Sequence, residues 1–266
     1  MSQENQGASS ARNLALKEAQ GEYICIVDSD DYIEADTLEK AYYRALEKKL
    51  DAVIFNLVFV GTKTKYLNIN SNEILSGQQA VVKSLDWSIS GLGIFASEII
   101  KKIKFDTFSM NADELSTRKF FLACKKLGFT KARYFYRQYS SSTTKKFSIK
   151  HFDKLETDLR LREFLKSNDL YQKASKIFEP IAFGSFVGLN ILFLREEKAF
   201  TKTDKAEILK KLETAYDSFD LKFLKKMIGK LPLSKRLLFS VLLGPRSFSS
   251  LQLRLKPLSI IAKMKK

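Results

Sequence analysis

The sequence is 266 residues long, 45% of its residues are hydrophobic, and its formal net charge is +16. Length and apolar content are those of a globular protein with one large domain, or one domain and an appendage. The two cysteines, Cys25 and Cys124, exclude a disulfide framework and a cysteine-based metal site, as expected in a reducing cytoplasm. Segment 1–7 is polar, so we expect no signal peptide.

The positive charge is concentrated near the carboxyl end. Residues 221–266 contain twelve Lys or Arg and no Asp or Glu, interleaved with Leu, Phe, Ile and Met. This composition is typical of helices that bind an anionic membrane surface. No RNA-binding pattern, zinc-ligand spacing or helix-turn-helix signal accompanies the charge, so we expect no nucleic-acid partner.

The first predicted elements are a helix and a strand that leads into a group of carboxylates. Ser9 or Ser10 can cap a helix that stops at Gly21. The apolar run Tyr23–Val27 is typical of a buried parallel strand, and the segment 28–31, Asp-Ser-Asp-Asp, follows it directly. Ligands of open α/β sheets bind at the carboxyl ends of the strands, so this segment is the first candidate site.

The three carboxylates of this segment, Asp28, Asp30 and Asp31, favour a divalent cation. Like charges this close repel one another unless a cation offsets them, and hard oxygen ligands suit Mg²⁺ or Mn²⁺. The alternative is that Asp30 or Asp31 only caps the helix that follows. One aspartate would fit either role, whereas three favour a metal site.

The next part of the chain alternates between helices and strands, which predicts an α/β fold with a mixed sheet. Asp36 can cap a helix, the continuous apolar run 51–60 predicts a central strand, and Ser76 can open a second helix. A further helix is predicted to stop at Gly128, and strand 131–138 follows it. The inner face predicted for the helix after Asp36 consists of Leu38, Ala41, Tyr42, Ala45 and Leu46.

The carboxyl-terminal part has a helical pattern from residue 152 to about residue 219. Its apolar segment 177–194 contains Pro180, Gly184 and Gly188 and is shorter than the roughly 20 residues that span a bilayer. We expect a helical pair that is buried against the preceding domain or lies at the membrane surface. The predicted organisation is a first domain at 1–147, a helical region at 148–220 and a basic amphipathic tail at 221–266.

Three stretches resemble a known family of enzymes. Ser9–Asn13, Ala19–Ile24 and Val27–Tyr32 are similar to the S-x-A-R-N, A-x-G-x-Y-I and V-D-S-D-D blocks of the family 2 glycosyltransferases. The resemblance implies the GT-A fold and transfer of a sugar from a nucleotide-sugar donor, with inversion at the anomeric carbon.

The same resemblance implies roles for individual residues. Asp28 and Asp30 correspond to the D-x-D element that holds Mg²⁺ or Mn²⁺ on the donor diphosphate, and Asp31 is expected to support them as a third metal residue. Arg12 and Asn13, together with Asp28, are expected to contribute to binding of the donor.

A second motif supplies a candidate base. Segment Asn111–Thr117 resembles the E-D-E-L-F-T element of the family, in which the aspartate is the proposed general base, here Asp113. A carboxylate suits this role because inverting transfer needs one base to take the proton of the acceptor hydroxyl. The alternative is that Asp113 only stabilises the positive end of a helix.

Members of this family normally begin with an apolar strand and then a D-D-x-S/T-x-D segment that binds the nucleoside. The resemblance starts after both of these features. It therefore implies an incomplete GT-A domain in which Tyr23–Val27 lies at the edge of the sheet. We expect a transferase that is impaired by N-terminal truncation.

The predicted function is an inverting glycosyltransferase that acts on a cell-surface glycan or a lipid-linked acceptor. We expect a bacterial cytoplasmic protein that is peripheral on the inner face of the plasma membrane. The alternative is a non-catalytic, truncated or split fragment that keeps the motifs and acts only as a membrane-associated binding protein.

Overall fold

The computed structural model describes residues 3–61, 65–66, 70–109, 111–138, 148–228, 242–244 and 247–264. The chain divides into two compact units, residues 1–147 and residues 148–266. Parts of the predicted tail, residues 229–241, 245–246 and 265–266, lie outside the described residues.

The first unit is built from helices and short strands around one sheet. Its helices are α1 (Ala8–Glu18), α2 (Thr37–Lys48), α3 (Gly77–Ser84), α4 (Ser97–Ile103) and α5 (Ala112–Ala123). Its strands are β1 (Tyr23–Cys25), β2 (Tyr32–Ile33), β3 (Ala52–Val60), β4 (Lys65–Tyr66), β5 (Ile74–Leu75), β6 (Gly93–Ala96) and β7 (Leu127–Arg137).

The seven strands form one mixed sheet in the order β1-β6-β3-β7-β2, with β4 beside β3 and β5 beside β7. β3 and β7 are parallel, whereas β6 is antiparallel to both β1 and β3, and β2 is antiparallel to β7. Consequently β1, β3 and β7 run in the same direction, and their carboxyl ends meet at one edge of the sheet. The α/β class with a mixed sheet is as predicted.

The structure corrects the pairing predicted for the first strand. β1 comprises three residues and pairs with antiparallel β6 rather than with a parallel neighbour. Gly93 lets β6 approach β3 closely, since a Cβ atom there would lie 2.3 Å from the carbonyl oxygen of Val53. As predicted, β1 lies at the edge of the sheet, because β6 is its one partner among the strands that the structure describes.

The core of the first unit lies around β3, which is central as the sequence predicted. Helix α2 packs against this core through Ala41 and Ala45, which are fully buried. The prediction that the larger side chains Leu38, Tyr42 and Leu46 also face inward was wrong, because they are 46%, 39% and 44% exposed. Small alanine side chains let the helix approach the core closely, which leaves the bulkier residues on its flank.

Two predicted helix boundaries moved, and one was confirmed. α1 begins at Ala8 after Gly7, which has a φ of 87°, so neither predicted serine caps it. α5 ends at Ala123, and Gly128 lies inside β7, where a Cβ atom would meet the side chain of Leu50 at 2.4 Å. Ser76 does cap α3, in a capping box with Gln79.

The second unit is helical, as predicted. Its α-helices are α6 (Asp153–Ser167), α7 (Tyr171–Glu196), α8 (Lys202–Asp217), α9 (Leu221–Ile228) and α10 (Phe248–Met264), with short 3-10 helices at Ile149–Phe152 and Glu197–Ala199.

Helix α7 corrects the expected helical pair, because it continues for 26 residues through Pro180. Proline inside a helix costs about 3 kcal/mol, but the aromatic residues of α7 are deeply buried and offset that cost. Phe183 and Phe186 lie 5.3 and 5.5 Å from the ring of Phe219. Within the described part of the chain, α7 is the one helix long and apolar enough to cross a membrane. A core helix of a soluble protein can have the same length and composition, and many side chains of α7 are buried inside the unit.

A buried ion pair ties α7 to α6. Arg162 and Glu179 are 4% and 3% exposed, and they form two hydrogen bonds, Nε to Oε1 at 2.7 Å and Nη2 to Oε2 at 3.0 Å. The hydroxyl of Tyr171 donates to the same Oε1 at 2.9 Å, and Arg162 Nη1 donates to Ser218 Oγ at 2.8 Å. Both charges are therefore satisfied inside the unit.

The described parts of the basic tail belong to this same core. Leu251 and Leu255 of α10 are fully buried, and Gln252 donates to the side-chain oxygen of Asn190 on α7 at 2.7 Å. On α9, Leu224 is buried as well. These apolar residues of the tail therefore stabilise the helical unit rather than form a free amphipathic face.

Candidate active site

A pocket of about 390 Å³ opens in the first unit, where residues that follow β1, the end of β3 and the start of α5 come together. Apolar side chains line most of it, including Leu57 and Phe59 of β3. Its charged residues are Arg12, Asp28, Asp113, Glu114 and Arg118. The structure therefore brings three of the residues predicted from the motifs into one cavity.

Arg12 and Asp28 form an ion pair at the wall of this pocket. Arg12 Nη2 lies 2.6 Å from Asp28 Oδ1, and its guanidinium lies 5.4 Å from the centre of the Phe105 ring. The helix before β1 thus places a positive charge directly beside the first aspartate of the motif.

Asn13, also predicted to contact the donor, has a different position. Its side-chain nitrogen donates to the carbonyl of Phe105 at 2.8 Å, and its side-chain oxygen accepts from the N–H of Phe105 at 2.7 Å. Asn13 is not among the residues that line the pocket. Its amide therefore connects α1 to the segment after α4.

Asp31 is held by the end of β7. Tyr134 donates its hydroxyl to Asp31 Oδ2 at 2.8 Å, and the N–H of Arg137 donates to Oδ1 at 2.8 Å. The same Tyr134 oxygen accepts from the N–H of Asp28 at 3.1 Å. Burial raises the pKa of Asp31, although these hydrogen bonds act in the opposite direction. We call this arrangement of Asp31, Tyr134 and Arg137 the loop clamp, since it fixes the aspartate loop to β7.

The three predicted metal carboxylates are therefore not equivalent. Asp31 is 8% exposed and both of its carboxylate oxygens accept hydrogen bonds from protein, whereas Asp30 is exposed. Among the residues that the structure describes, no three His, Cys, Asp or Glu side chains lie close enough to hold a metal ion together. The predicted three-carboxylate set is thus not assembled, which leaves Asp28 and Asp30 as the candidates.

Asp113 lies in the first turn of α5 and opens into the pocket. Desolvation by the surrounding protein raises the pKa of its carboxyl, while the charge of Arg12 lowers it and that of Glu114 raises it further. The backbone N–H groups of Asp113 and Glu114 donate hydrogen bonds to this carboxylate, which also lowers its pKa. The N-cap residue of α5 is Asn111, so Asp113 is not the cap. Its surroundings fit both a base with a raised pKa and a carboxylate that stabilises the positive end of the helix.

Two further residues of the pocket were not predicted. Arg118 of α5 is 3% exposed, and its guanidinium lies 5.2 Å from the ring centre of Trp87. Trp87 follows α3 in a turn with no periodic pattern, so neither spacing nor a motif indicated it. A tryptophan in the polar segment Asp86–Ser90 was the one signal available in the sequence.

Comparison with known proteins finds a family model that matches the first part of the chain. The family model described as "Glycosyl transferase family 2" matches residues 1–111. This range includes Arg12, Asp28 and Asp30, and it ends shortly before Asp113.

Individual proteins agree with this match. The glycosyltransferase GlyG of Streptococcus pneumoniae is 28% identical over 165 residues, which cover 53% of this chain and 52% of GlyG. The cholesterol galactosyltransferase of Borreliella burgdorferi is 26% identical over 215 residues, covering 73% of this chain and 59% of that protein. The chain thus spans somewhat over half the length of these two curated relatives.

A solved structure shows the fold. The crystal structure of S. aureus TarS 1-349 in complex with UDP-GlcNAc superposes with a TM-score of 0.58 at 19% identity, over 100% of this chain and 74% of that one. The mixed sheet with helices is therefore of the GT-A type, followed by a helical carboxyl-terminal region, as predicted from the motifs.

Proposed function

Because residues 1–111 match the model of the family 2 glycosyltransferases, we propose that this protein transfers a sugar from a nucleotide-sugar donor to a glycan or lipid-linked acceptor, with inversion at the anomeric carbon. The observation that carries the proposal is the pocket in which Arg12, Asp28 and Asp113 occur together. It combines a site for a charged diphosphate with a candidate base, the two groups that such a transfer requires.

The donor diphosphate would bind near Arg12 and Asp28. Family 2 enzymes generally use a divalent ion, and Mg²⁺ or Mn²⁺ is commonly held by one or two protein carboxylates together with phosphate oxygens. Asp28 and Asp30 fit this donor set, and Asp31, through the loop clamp, holds the backbone that carries them. When bound, the ion would offset the negative charge that develops on the leaving diphosphate.

In this reaction Arg12 and Asp113 have different roles. Arg12, now paired with Asp28, can exchange that contact for a phosphate oxygen, because guanidinium groups bind both anions well. Asp113 takes the proton of the acceptor hydroxyl as the oxygen attacks the anomeric carbon. The bond to the nucleoside diphosphate breaks on the opposite face, which inverts the configuration.

Metal binding tests the donor half of this proposal. Titration of Mn²⁺, followed by electron paramagnetic resonance, should show tighter binding when UDP is present, since the diphosphate completes the coordination shell. A D28N/D30N variant should lose this coupling. Asp36→Asn is the matched control, because its carboxylate lies outside the pocket and pairs with Lys40. Equal Mn²⁺ affinity in the double variant and the wild type would contradict the assignment.

Binding without catalysis is the second candidate function, and one observation favours it. β1, which leads into the candidate metal loop, has β6 as its one partner among the described strands. No other strand in the described part of the chain pairs with its second backbone edge. Release of UDP from UDP-sugars by the purified chain separates the two functions, since a binding protein would show coupled Mn²⁺ and UDP binding without turnover.

We further propose that the protein lies in the cytoplasm, peripheral on the inner face of a bacterial plasma membrane. Lys222, Lys225 and Lys226 of α9 are exposed, and each cation near an anionic leaflet contributes about 1 kcal/mol. Because Leu251 and Leu255 are buried in the helical unit, this association should be electrostatic and weaken with added salt.

Flotation with phosphatidylglycerol vesicles tests the membrane proposal. Replacing the three α9 lysines by Gln should weaken binding at least tenfold, while phosphatidylcholine vesicles should bind neither protein. The control is a triple variant with the same loss of charge, in which Gln replaces Lys198, Lys202 and Lys210. These three lysines are exposed and lie outside the tail. An equal loss in both triple variants would show that net charge, rather than the tail, controls binding.

A further inference from the structure

Trp87 has an unusual combination of position and conformation. It is the only tryptophan of the chain, it lines the pocket, and 52% of its surface is exposed. Its backbone φ is 62°, in the left-handed region that bulky residues rarely adopt. Exposure of a large aromatic side chain and a strained backbone both cost free energy, and such costs are concentrated at binding sites.

The indole is also held in place. The buried guanidinium of Arg118 lies 5.2 Å from the ring centre, within the range of a cation–π interaction. Arg118 is itself fixed, because Nη2 donates to the carbonyl of Ser84 at 2.7 Å and Nη1 donates to the carbonyl of Glu114 at 2.9 Å. One side of the indole thus packs on a fixed cation while much of its surface remains open.

Arg118 also relates Trp87 to the candidate base. Asp113 and Arg118 are five positions apart on α5, which corresponds to about 7.5 Å along a helix axis. The indole therefore packs on a residue of the helix that carries Asp113. A ligand group that contacts Trp87 lies in the same pocket as the candidate base, which the acceptor hydroxyl must reach.

We propose that Trp87 is a platform on which a pyranose ring of the acceptor stacks, with Arg118 as the positioning residue. The C–H groups on one face of a pyranose form an apolar patch that packs well on a flat aromatic ring, whereas its hydroxyl groups point outward. A rigid indole supplies this area at a low cost in conformational entropy. The inference rests on the proposed function and makes it more specific, because the acceptor then ends in a sugar ring rather than in a linear polyol or a lipid phosphate.

The single tryptophan makes the test direct, because all indole fluorescence reports on Trp87. The probes are the methyl pyranosides of glucose, galactose and N-acetylglucosamine, the linear polyol ribitol, and UDP. At least one pyranoside should shift the emission to shorter wavelength and saturate, while ribitol and UDP should not. A change with UDP alone would overturn the proposal by making Trp87 a platform for the nucleobase, and the absence of any saturable change with the pyranosides would also overturn it.

A reporter outside the pocket is the control. In a W87F/Y43W variant the indole lies on α2, at a position that is 63% exposed and does not line the pocket. Its emission should not respond to the pyranosides. If it responds as the wild type does, the signal does not arise at Trp87 and the proposal fails.

Kinetics give a second measurement that separates the platform from the transferase function. Trp87→Ala should raise the acceptor KM about three- to tenfold, the range expected for one aromatic stacking contact, without changing the donor KM. Trp87→Phe should recover part of the loss. If Mn²⁺ and UDP binding are coupled but Trp87→Ala leaves the acceptor KM unchanged, the proposed role of Trp87 is wrong, while the proposed function of the protein stands.

Discussion

Replacing Asp113 with Asn is expected to lower the rate of sugar transfer by about 10²- to 10⁴-fold, the usual contribution of a general base. The amide keeps the size of the side chain but cannot accept the proton of the acceptor hydroxyl. Donor binding should change little, because the proposed donor contacts come from Arg12 and Asp28 rather than from Asp113. Initial rates of UDP release with and without acceptor measure the first effect, and UDP titration measures the second.

The pH dependence provides a control for this variant. Desolvation raises the pKa of Asp113 in the folded protein above its ordinary value of 3.8, so its charged form is disfavoured by folding. That cost is present at pH values above the folded pKa and disappears below 3.8. Asp113→Asn should therefore be no less stable than wild type at neutral pH, and any advantage in melting temperature should vanish near pH 4.

The alternative role of Asp113 makes a different prediction. If Asp113 only stabilises the positive end of α5, whose N-cap residue is Asn111, Asn should retain most of the turnover because the reaction does not use the carboxylate. Asp113→Asn would then lose about 0.3–1 kcal/mol of stability, the usual contribution of a negative charge in the first turn. High turnover in the Asn variant would therefore assign Asp113 a structural role.

Replacing Glu179 with Leu is expected to destabilise the helical unit by about 3–5 kcal/mol, because the charge of Arg162 would remain buried without a partner. Both side chains are at most 4% exposed, so water cannot take over the lost contacts. Urea unfolding, followed by circular dichroism, measures the change in the free energy of unfolding.

Two further variants separate charge burial from packing. An R162M/E179L double variant should recover much of the lost stability, since it removes both buried charges while keeping similar volumes. The exposed pair Glu156 and Arg160 on α6 is the matched control, and Glu156→Gln should cost less than about 1 kcal/mol. A loss of similar size in Glu156→Gln and Glu179→Leu would show that burial does not govern the energy of the pair.

The parts of the fold that depend on local pattern could be predicted from the sequence. The apolar run of β3, in which Asn56 is the one polar residue, predicted its central position, and Ser76 caps α3 because the Gln three residues after it completes a capping box. The aspartate loop was identified for a similar reason, since the apolar run Tyr23–Val27 leads into it, although only Ile24 of β1 is buried.

The parts that depend on distant contacts could not be predicted in this way. The clamp role of Asp31 depends on Tyr134, 103 positions later, and no spacing rule connects the two residues. Pro180 and two glycines predicted a break in α7, but aromatic packing against Phe219 keeps it continuous. Trp87 enters the pocket through a turn, where hydrophobic periodicity gives no signal.

The long-range contacts of the first unit have a consequence for how the candidate site forms during folding. Ala52 of β3 pairs with Leu127 of β7, and the loop clamp joins Asp31 to Tyr134. Closing such long loops costs entropy before the contacts that they permit can form, so pairings of this kind are made slowly. During synthesis the loop clamp cannot form until β7 has emerged from the ribosome, although the Arg12–Asp28 pair can form earlier. Binding of nucleoside diphosphate would then require synthesis of the whole first unit but not of the helical unit that follows it.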